Sequence, residues 1–196
     1  MLKRSLCLLV LMASIVACGE PKMPSPYHAV DVTWQHTQAD FNLIDFNGKS
    51  RSLVDFSGKV VVLFFGYTHC PEVCPTTLAD LAQVVRLLGK DADRVQVLFV
   101  TLDPEHDSPA LLAKYVPYFH PSFLGLYGDV QATARAANSF GVNYQKQFNK
   151  SGGYTVDHSD GTYLLGINGR PLLLSPYGQS TELLVQDIRL LLATHR

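Results

Sequence analysis

The sequence has few of the residues from which disulfide frameworks and polyanion-binding surfaces are built. Among its 196 residues there are only four cysteines and one tryptophan. Lysine and arginine number 16 against 17 aspartates and glutamates, so that the net charge is −1, and the basic residues are scattered along the chain. A nucleic-acid surface needs clustered basic side chains for its phosphate contacts, so this charge pattern argues against nucleic acid as a partner.

Long apolar runs are also scarce, and the one near the N-terminus is too short to span a bilayer. Lys3 and Arg4 precede thirteen mostly apolar residues that end at Ala17, whereas a membrane-spanning helix needs about 20. This arrangement is typical of an export signal. The next residue, Cys18, completes the string IVAC, which resembles a bacterial lipobox. We therefore expect residues 1–17 to be a lipoprotein signal peptide, although an ordinary cleaved signal is the alternative, and Cys18 to carry a lipid anchor.

Export changes how the cysteines are counted. Cys7 leaves with the signal and Cys18 is acylated, so the mature protein keeps two thiols, Cys70 and Cys74. We expect the protein in the bacterial cell envelope, anchored to a membrane and facing the periplasm or the outer side of the cytoplasmic membrane, where disulfides persist. Two cysteines are too few for a larger disulfide framework or a four-cysteine metal site.

The rest of the chain is predicted to be one domain on a tether. Residues 18–37 contain three prolines and no periodic pattern, which is typical of a flexible segment. Residues 38–196 are assigned to a single α/β domain. Within it, residues 41–56 alternate around an Asn-Gly turn and predict an N-terminal β-hairpin.

Strands and helices alternate through this domain. Continuous apolar runs predict buried strands at 60–66 and 95–102, and alternation around Asn168-Gly169 predicts a hairpin of 162–167 with 170–174. Helical periodicity or capping residues predict helices over 78–88, over 130–140 and over 181–194. A further helix is predicted to begin at Ser108-Pro109 and to be ended or kinked by Pro117. This order indicates an α/β fold with a central mixed sheet flanked by helices.

The position of the cysteine pair indicates its chemistry. The string CPEVCP, residues 70–75, lies between the first buried strand and a helix, where thioredoxin-like proteins place their redox pair. A helix N-terminus lowers a thiol pKa and so favours the thiolate. Cysteines at i and i+4 are close enough to hold one metal ion and, after a modest adjustment, to form a disulfide. A purely structural disulfide would stabilise the fold by only about 2 kcal/mol, because its loop is so short.

Three blocks of the sequence resemble the Sco (SenC-type) family and occur in that family's order. They are VVVLFFGYTHCPEVCPTT, TLDPEHDSP and YTVDHSDGTYLLGINGRPL, and the resemblance runs from about residue 36 to the C-terminus. Members of this family are membrane-anchored, thioredoxin-like proteins that help to assemble the copper centre of cytochrome c oxidase. The resemblance implies one copper ion per monomer, bound by Cys70, Cys74 and His158. It also implies a copper-acceptor protein as partner, in particular a cytochrome c oxidase subunit.

The donor set is compatible with this metal. Sulfur selects Cu(I), and imidazole is accepted by both oxidation states of copper. Zinc is the competing ion; its structural sites take four ligands, and zinc binding in vitro stays open. No proline occurs in VDHSDG, where thioredoxin-like oxidoreductases carry a cis-proline, and this favours metal binding over general disulfide exchange. We expect Asp157 or Asp160 to orient the ring of His158.

Other residues near these blocks are given lesser roles. His69 precedes the first motif cysteine and is expected to point away from it. Asp103 and Pro104 are expected to shape the loop beside the site. Two positions depart from the family pattern: His106 stands where arginine is common, and Glu72 stands where aspartate is frequent.

Two functions of different classes remain open from the sequence. In the first, the protein is a copper metallochaperone that hands its ion over by ligand exchange. In the alternative, it is an extracytoplasmic thiol-disulfide oxidoreductase that reduces the cysteines of a copper-acceptor protein, with Cys70 and Cys74 as catalytic residues. The two differ in whether His158 is needed, since only metal binding uses the imidazole.

Overall fold

The computed structural model describes residues 25–35, 39–150 and 152–194, so the predicted signal peptide and Cys18 lie outside the described residues. The strands are β1 (Val30–Asp31), β2 (Leu43–Asp45), β3 (Ser50–Arg51), β4 (Val60–Gly66), β5 (Val95–Thr101), β6 (Leu124–Tyr127), β7 (Tyr144–Phe148), β8 (Tyr154–His158), β9 (Thr162–Leu165) and β10 (Pro171–Ser175). The α-helices are α1 (Val73–Leu88), α2 (Pro109–Phe119), α3 (Val130–Ser139) and α4 (Thr181–Thr194), and short 3-10 helices cover Leu53–Phe56 and Gly89–Arg94. No helix in this part of the chain is both long enough and apolar enough to cross a membrane.

Eight of these strands form one mixed sheet in the order β1-β10-β9-β4-β5-β6-β2-β3. β4, β5 and β6 run parallel, and β9 and β10 continue the sheet in antiparallel pairing. The parallel strands are joined by crossovers that contain α1 and α2, as parallel pairing requires. β7 and β8 form a separate antiparallel hairpin. The α/β class and the central mixed sheet that the sequence predicts are therefore confirmed.

β4 forms the centre of the sheet. All seven of its residues are buried, and it pairs with β5 on one edge and with β9 on the other. A strand covered on both faces needs an unbroken apolar run rather than an alternating one, which explains the sequence VVVLFFG. Its C-terminal end leads directly into the cysteine motif.

The N-terminal β-hairpin is confirmed, with a tight turn between β2 and β3 in which Gly48 has φ 84°. The buried carboxylate of Asp45 holds this turn together. It accepts hydrogen bonds from the backbone N–H groups of Asn47 and Lys49 at 2.9 and 3.0 Å and from Nε of Arg51 at 2.9 Å. These strands are shorter than predicted, since residues 53–56 turn into a 3-10 helix.

The predicted helices are present, and Pro117 lies inside one of them. α2 begins as expected, because the Ser108 side chain accepts a hydrogen bond from the backbone of Leu111 and Pro109 occupies the first helical position. The helix does not end at Pro117 but continues to Phe119. A proline so near the helix C-terminus removes one backbone hydrogen bond without stopping the last turn.

Part of the segment predicted as a flexible tether packs against the domain. β1 pairs with the edge strand β10, with Val30 opposite Leu174. The buried carboxylate of Asp187 in α4 accepts hydrogen bonds from the backbone N–H groups of His28 and Ala29, both at 2.8 Å. The packed part of the chain therefore begins well before residue 38, because backbone pairing with a distant strand holds a segment whose own composition shows no periodic pattern.

Candidate metal centre

The two motif cysteines lie where β4 gives way to α1. Cys70 is partly buried in the connecting loop, and Cys74 is fully buried in the first turn of the helix. Both are free thiols. The placement at a junction of strand and helix is the one that the sequence predicts.

Cys74 is held against the end of the central strand. Its Sγ packs so closely on Gly66 that a Cβ atom at that position would lie 2.9 Å away. Burial raises the pKa of the Cys74 thiol well above its ordinary value, and a hydrogen bond from the backbone of Tyr67 offsets this effect only in part. In the metal-free protein Cys74 is therefore a protonated thiol at neutral pH.

Cys70 has the opposite electrostatic environment. Its Sγ accepts a hydrogen bond of 3.4 Å from the backbone N–H of Cys74. Partial burial raises its pKa, but hydrogen bonds from the backbone of Cys74 and of Glu72 outweigh this effect and leave the pKa below its usual value. The lower thiol pKa that is expected at a helix N-terminus is thus found for Cys70 and not for Cys74.

His158, the last residue of β8, lies next to the cysteine pair. Its Nε2 is 3.6 Å from Sγ of Cys74. Its ring packs edge-on against Phe64 and Tyr67, with centroid distances of 6.3 and 5.9 Å. The aromatic contacts and the thiol together hold the imidazole at the end of the central strand.

The orientation of the imidazole is set by a backbone group. Nδ1 of His158 lies 2.8 Å from the carbonyl oxygen of Ser159. Since a carbonyl can only accept, Nδ1 carries the proton, and Nε2 directs its lone pair at the thiol of Cys74. The expectation that Asp157 or Asp160 orients the ring is corrected, because the following residue's carbonyl takes that position.

The structure brings the three predicted ligands to one site but does not close them around one point. Cys74 and His158 are in contact through Sγ and Nε2, and Sγ of Cys70 accepts a hydrogen bond from the backbone N–H of Cys74. Within the described ranges, the group of three ligating side chains whose ligand atoms all lie within 4.8 Å of one another is formed by His69, Asp103 and His106 instead. Binding of one ion by both cysteines and His158 therefore requires a rearrangement of their side chains.

An open cavity of about 430 Å³ lies over this site. Cys70 and His158 line it, together with Tyr67, Glu72 and Asp157 among others. Cys74 is not part of its wall. The cavity therefore gives a partner access to the first cysteine and to the imidazole, while the second cysteine lies beneath them.

The TLDPEHDSP loop is hydrogen-bonded to the loop that carries the cysteines. The buried carboxylate of Asp107 accepts hydrogen bonds from the backbone and hydroxyl of Thr68, at 3.0 and 2.6 Å, and from the Thr101 hydroxyl at 2.7 Å. The carboxylate of Asp103 pairs with Lys146 of β7 and accepts a hydrogen bond from the Tyr154 hydroxyl of β8. Asp103 was expected to shape the loop; the role of Asp107 was missed, although an aspartate in a loop that follows a buried strand is a signal for it.

His69 turns away from the cysteines, as expected. Its ring lies edge-on to Tyr67 at 4.6 Å and packs against His106 at 4.3 Å between centroids. Its Nδ1 is 3.9 Å from a carboxylate oxygen of Asp103. The contact between His69 and His106 was not predicted from the sequence.

Comparison with known proteins gives matches over most of the chain. Residues 31–193 match the SCO1/SenC family. The SCO2 homolog of Mus musculus, a mitochondrial protein, is 43% identical over 157 residues, which cover 78% of this chain and 61% of the relative. The match thus spans about three fifths of the relative's length.

Solved structures of Sco proteins have the same fold as this chain. Apo Sco1 of Thermus thermophilus has a TM-score of 0.76 and 40% identity, and the match covers 87% of this chain and 99% of that one. ScoI of Bradyrhizobium japonicum, solved with copper bound, has a TM-score of 0.72 and 37% identity over 82% of this chain and 98% of that one. With a thioredoxin-like architecture, the cysteine motif at the β4–α1 junction and a family match over nearly all described residues, this chain belongs to the SCO1/SenC family.

Proposed function

We propose that the protein is a copper metallochaperone that binds one copper ion through Cys70, Cys74 and His158 and passes it to an acceptor protein. The observation that carries this proposal is the 3.6 Å contact between Nε2 of His158 and Sγ of Cys74. A structural neighbour, ScoI of Bradyrhizobium japonicum, was solved with copper bound.

The donor groups are suited to copper as cargo. The lowered pKa of Cys70 favours its thiolate, Nε2 of His158 presents its lone pair, and Cys74 becomes a ligand once it loses its proton. Soft sulfur donors favour Cu(I), and a structural zinc site would need a fourth ligand. The three donors together therefore favour copper over zinc.

The exposure of the three donors supports an ordered transfer. Cys70 and His158 border the open cavity, whereas Cys74 is buried beneath them. An incoming cysteine or histidine of the acceptor can replace an exposed donor first, and the buried thiol releases the ion last. Copper is then always held by at least one of the two proteins.

The setting of this transfer follows from the family and the N-terminal sequence. We propose a subunit of cytochrome c oxidase as the acceptor, in keeping with the function implied by the family resemblance. We further propose that acylated Cys18 anchors the protein in the cell envelope, as the string IVAC predicts. Attachment to the membrane would hold the copper site near a membrane-bound oxidase.

The proposal is tested by anaerobic Cu(I) titration of the reduced protein against a chromophoric Cu(I) chelator. The unchanged protein should retain one equivalent, and His158→Ala should weaken retention by at least about tenfold. His120→Ala is the matched control, because this histidine contacts only Ser122 and Phe123 among the contacts described. Equal retention by His158→Ala and the unchanged protein would remove His158 from the site.

The thiol-disulfide oxidoreductase remains a second candidate because the two cysteines differ in pKa. The Cys70 thiolate would attack one sulfur of an acceptor disulfide, forming a mixed disulfide and releasing the other acceptor sulfur as a thiolate. Cys74, after losing its proton, would attack Sγ of Cys70, which leaves Cys70 and Cys74 oxidised to a disulfide and the acceptor reduced by two electrons. In this function Cys74→Ser traps the mixed disulfide, whereas His158→Ala still completes the reduction of the acceptor, because both thiols remain.

A further inference from the structure

A second cluster of ligating side chains lies on the other side of Tyr67 from the cysteine pair. The ligand atoms of His69, Asp103 and His106 all lie within 4.8 Å of one another. The ring of Tyr67 contacts His69 on one side, at 4.6 Å between centroids, and His158 on the other, at 5.9 Å. We propose that His69, Asp103 and His106 form a second metal site, which binds a divalent transition-metal ion, with Cu(II) bound most tightly.

The imidazole of His69 has an unused nitrogen directed at this cluster. Its Nδ1 is buried without a hydrogen-bond partner and lies 3.9 Å from Oδ2 of Asp103. A buried polar atom without a partner is unfavourable. A metal ion between this nitrogen and the buried carboxylate would satisfy both groups.

The imidazole of His106 keeps one nitrogen available for coordination. Its Nδ1 lies 3.0 Å from Oδ1 of Asp107, which is buried. Because a carboxylate accepts, the proton is on Nδ1, and Nε2 keeps its lone pair for a metal. A carboxylate behind a ligating histidine is the usual support in protein metal sites, since it fixes the tautomer and raises the basicity of the ligand.

The spacing of the ligand atoms fits one ion after a small movement. Atoms that share a zinc or copper ion lie at most about 4 Å apart, because each bond is about 2 Å long. The His69–Asp103 pair already meets this limit. The side chain of His106 is 47% exposed, so open space beside it allows the small shift that binding of one ion requires.

A neighbouring cation competes for the same carboxylate. Nζ of Lys146 lies 2.8 Å from Oδ1 of Asp103 and 2.6 Å from Glu105. Oδ2 of Asp103 accepts one hydrogen bond from Tyr154 and has a second lone pair for a metal. The ammonium group must therefore weaken metal binding, and its removal should strengthen it.

The donor atoms select the ion. Two imidazoles and a carboxylate contain no sulfur, so they suit a divalent ion such as Cu(II) or Zn(II) rather than Cu(I). Among divalent first-row ions, Cu(II) binds most tightly to a given set of nitrogen and oxygen donors. Cu(II) would thus bind here, and Cu(I) would bind at the thiols of the proposed function.

The test removes the cysteine site first. The variant Cys70→Ser, Cys74→Ser, His158→Ala is titrated with Cu(II) and, in a separate arm, with Zn(II). We expect one equivalent of Cu(II), a copper EPR spectrum with coupling to two imidazole nitrogens, and tighter binding of Cu(II) than of Zn(II).

Single changes in that background identify the ligands. His106→Gln keeps a polar side chain of similar size and should weaken Cu(II) binding by at least about tenfold, while His120→Ala should leave it unchanged. Lys146→Met should strengthen binding several-fold, which a merely adventitious surface histidine would not show. The proposal is wrong if the background binds no stoichiometric Cu(II), or if His106→Gln binds it as tightly as the background does.

The outcome is separate from that of the proposed function. Cu(I) retention by the otherwise unchanged protein should be the same with His106→Gln as without it. If the triple variant does not fold, the same Cu(II) comparison is made between the unchanged protein and His106→Gln after oxidation of Cys70 and Cys74 to a disulfide, which removes both thiols as ligands. Binding that survives oxidation and depends on His106 supports the second site.

Discussion

Nε2 of His158 lies 3.6 Å from Sγ of Cys74, although 84 positions separate the two residues in the chain. The imidazole has its lone pair on the nitrogen that faces the thiol, because Nδ1 donates its proton to the carbonyl oxygen of Ser159. In the proposed copper site these two groups are therefore already in contact.

Substitution of Gly66 by alanine should displace Cys74. The added Cβ would lie 2.9 Å from Sγ of Cys74 and 3.0 Å from the ring of Phe99, so one of them must move. We expect a loss of about 1–3 kcal/mol in the free energy of unfolding, as for other overpacked cores, and weaker Cu(I) retention. Urea unfolding and chelator competition measure the two effects. Gly153→Ala is the control, since its Cβ would meet only the side chain of Asn149; equal behaviour of the two variants would contradict the close packing.

The two thiols should react with iodoacetamide at very different pH. Hydrogen bonds from the backbone hold the pKa of Cys70 below its usual value, whereas burial raises that of Cys74. In Cys74→Ser, the alkylation rate should therefore reach half its maximum below about pH 8.5, the value of an ordinary thiol. In Cys70→Ser, the remaining thiol should stay unreactive at that pH. Mass spectrometry of the alkylated protein over a pH series gives both curves, and a shared midpoint would be inconsistent with the environments described.

Copper binding should become tighter as the pH rises through neutrality. The pKa of Cys74 is raised in the metal-free protein, so the thiol carries a proton that the ion must displace. One proton released per ion corresponds to about a tenfold gain in affinity for each unit of pH, until the solution reaches the pKa of the thiol. Cu(I) affinity measured at several pH values gives this slope. In Cys74→Ser the slope should be smaller, and an unchanged slope would mean that Cys74 is not a ligand.

Loss of the Asp45 carboxylate should destabilise the N-terminal hairpin in a pH-dependent way. Burial raises the pKa of Asp45, but hydrogen bonds from Lys49, Arg51 and Asn47 outweigh it and leave the pKa lowered. The carboxylate therefore stabilises the fold above its unfolded pKa of about 3.9, and this contribution is lost as the pH falls through the lower, folded value.

For Asp45→Asn we expect a loss of about 2 kcal/mol at pH 7, since buried donors lose a charged acceptor. The difference from the unchanged protein should shrink in acid, below pH 4. Thermal or urea unfolding over a pH series measures it, with the exposed Asp93→Asn as control. A penalty that stays constant down to pH 2 would show that the charge of Asp45 does not stabilise the turn.

Local patterns in the sequence were sufficient to predict the long strands and helices of the fold. The unbroken apolar runs of β4 and β5 predict buried strands, and the periodic leucines of α1 end at Gly89, which adopts φ 58° at the helix end. Such elements can be predicted because the pattern of apolar residues along the chain shows which of their faces are buried. The strands β1, β6, β7 and β8 were not predicted, since they are short or carry mostly polar residues, and β1 is held by backbone pairing with β10.

The sequence by itself determined the α/β class and the cysteine pair at a junction of strand and helix, and its family resemblance predicted His158 as the distant ligand. Only the tertiary structure decided that the carbonyl of Ser159 orients the imidazole, and that His69 and His106 meet around Asp103. It also decided that the pKa of Cys70 is lowered and that of Cys74 is raised, although both belong to one short motif. The physical reason is that burial and hydrogen bonding depend on groups brought together by folding, whereas the spacing of residues in the chain reports only which neighbours share a strand or a helical turn.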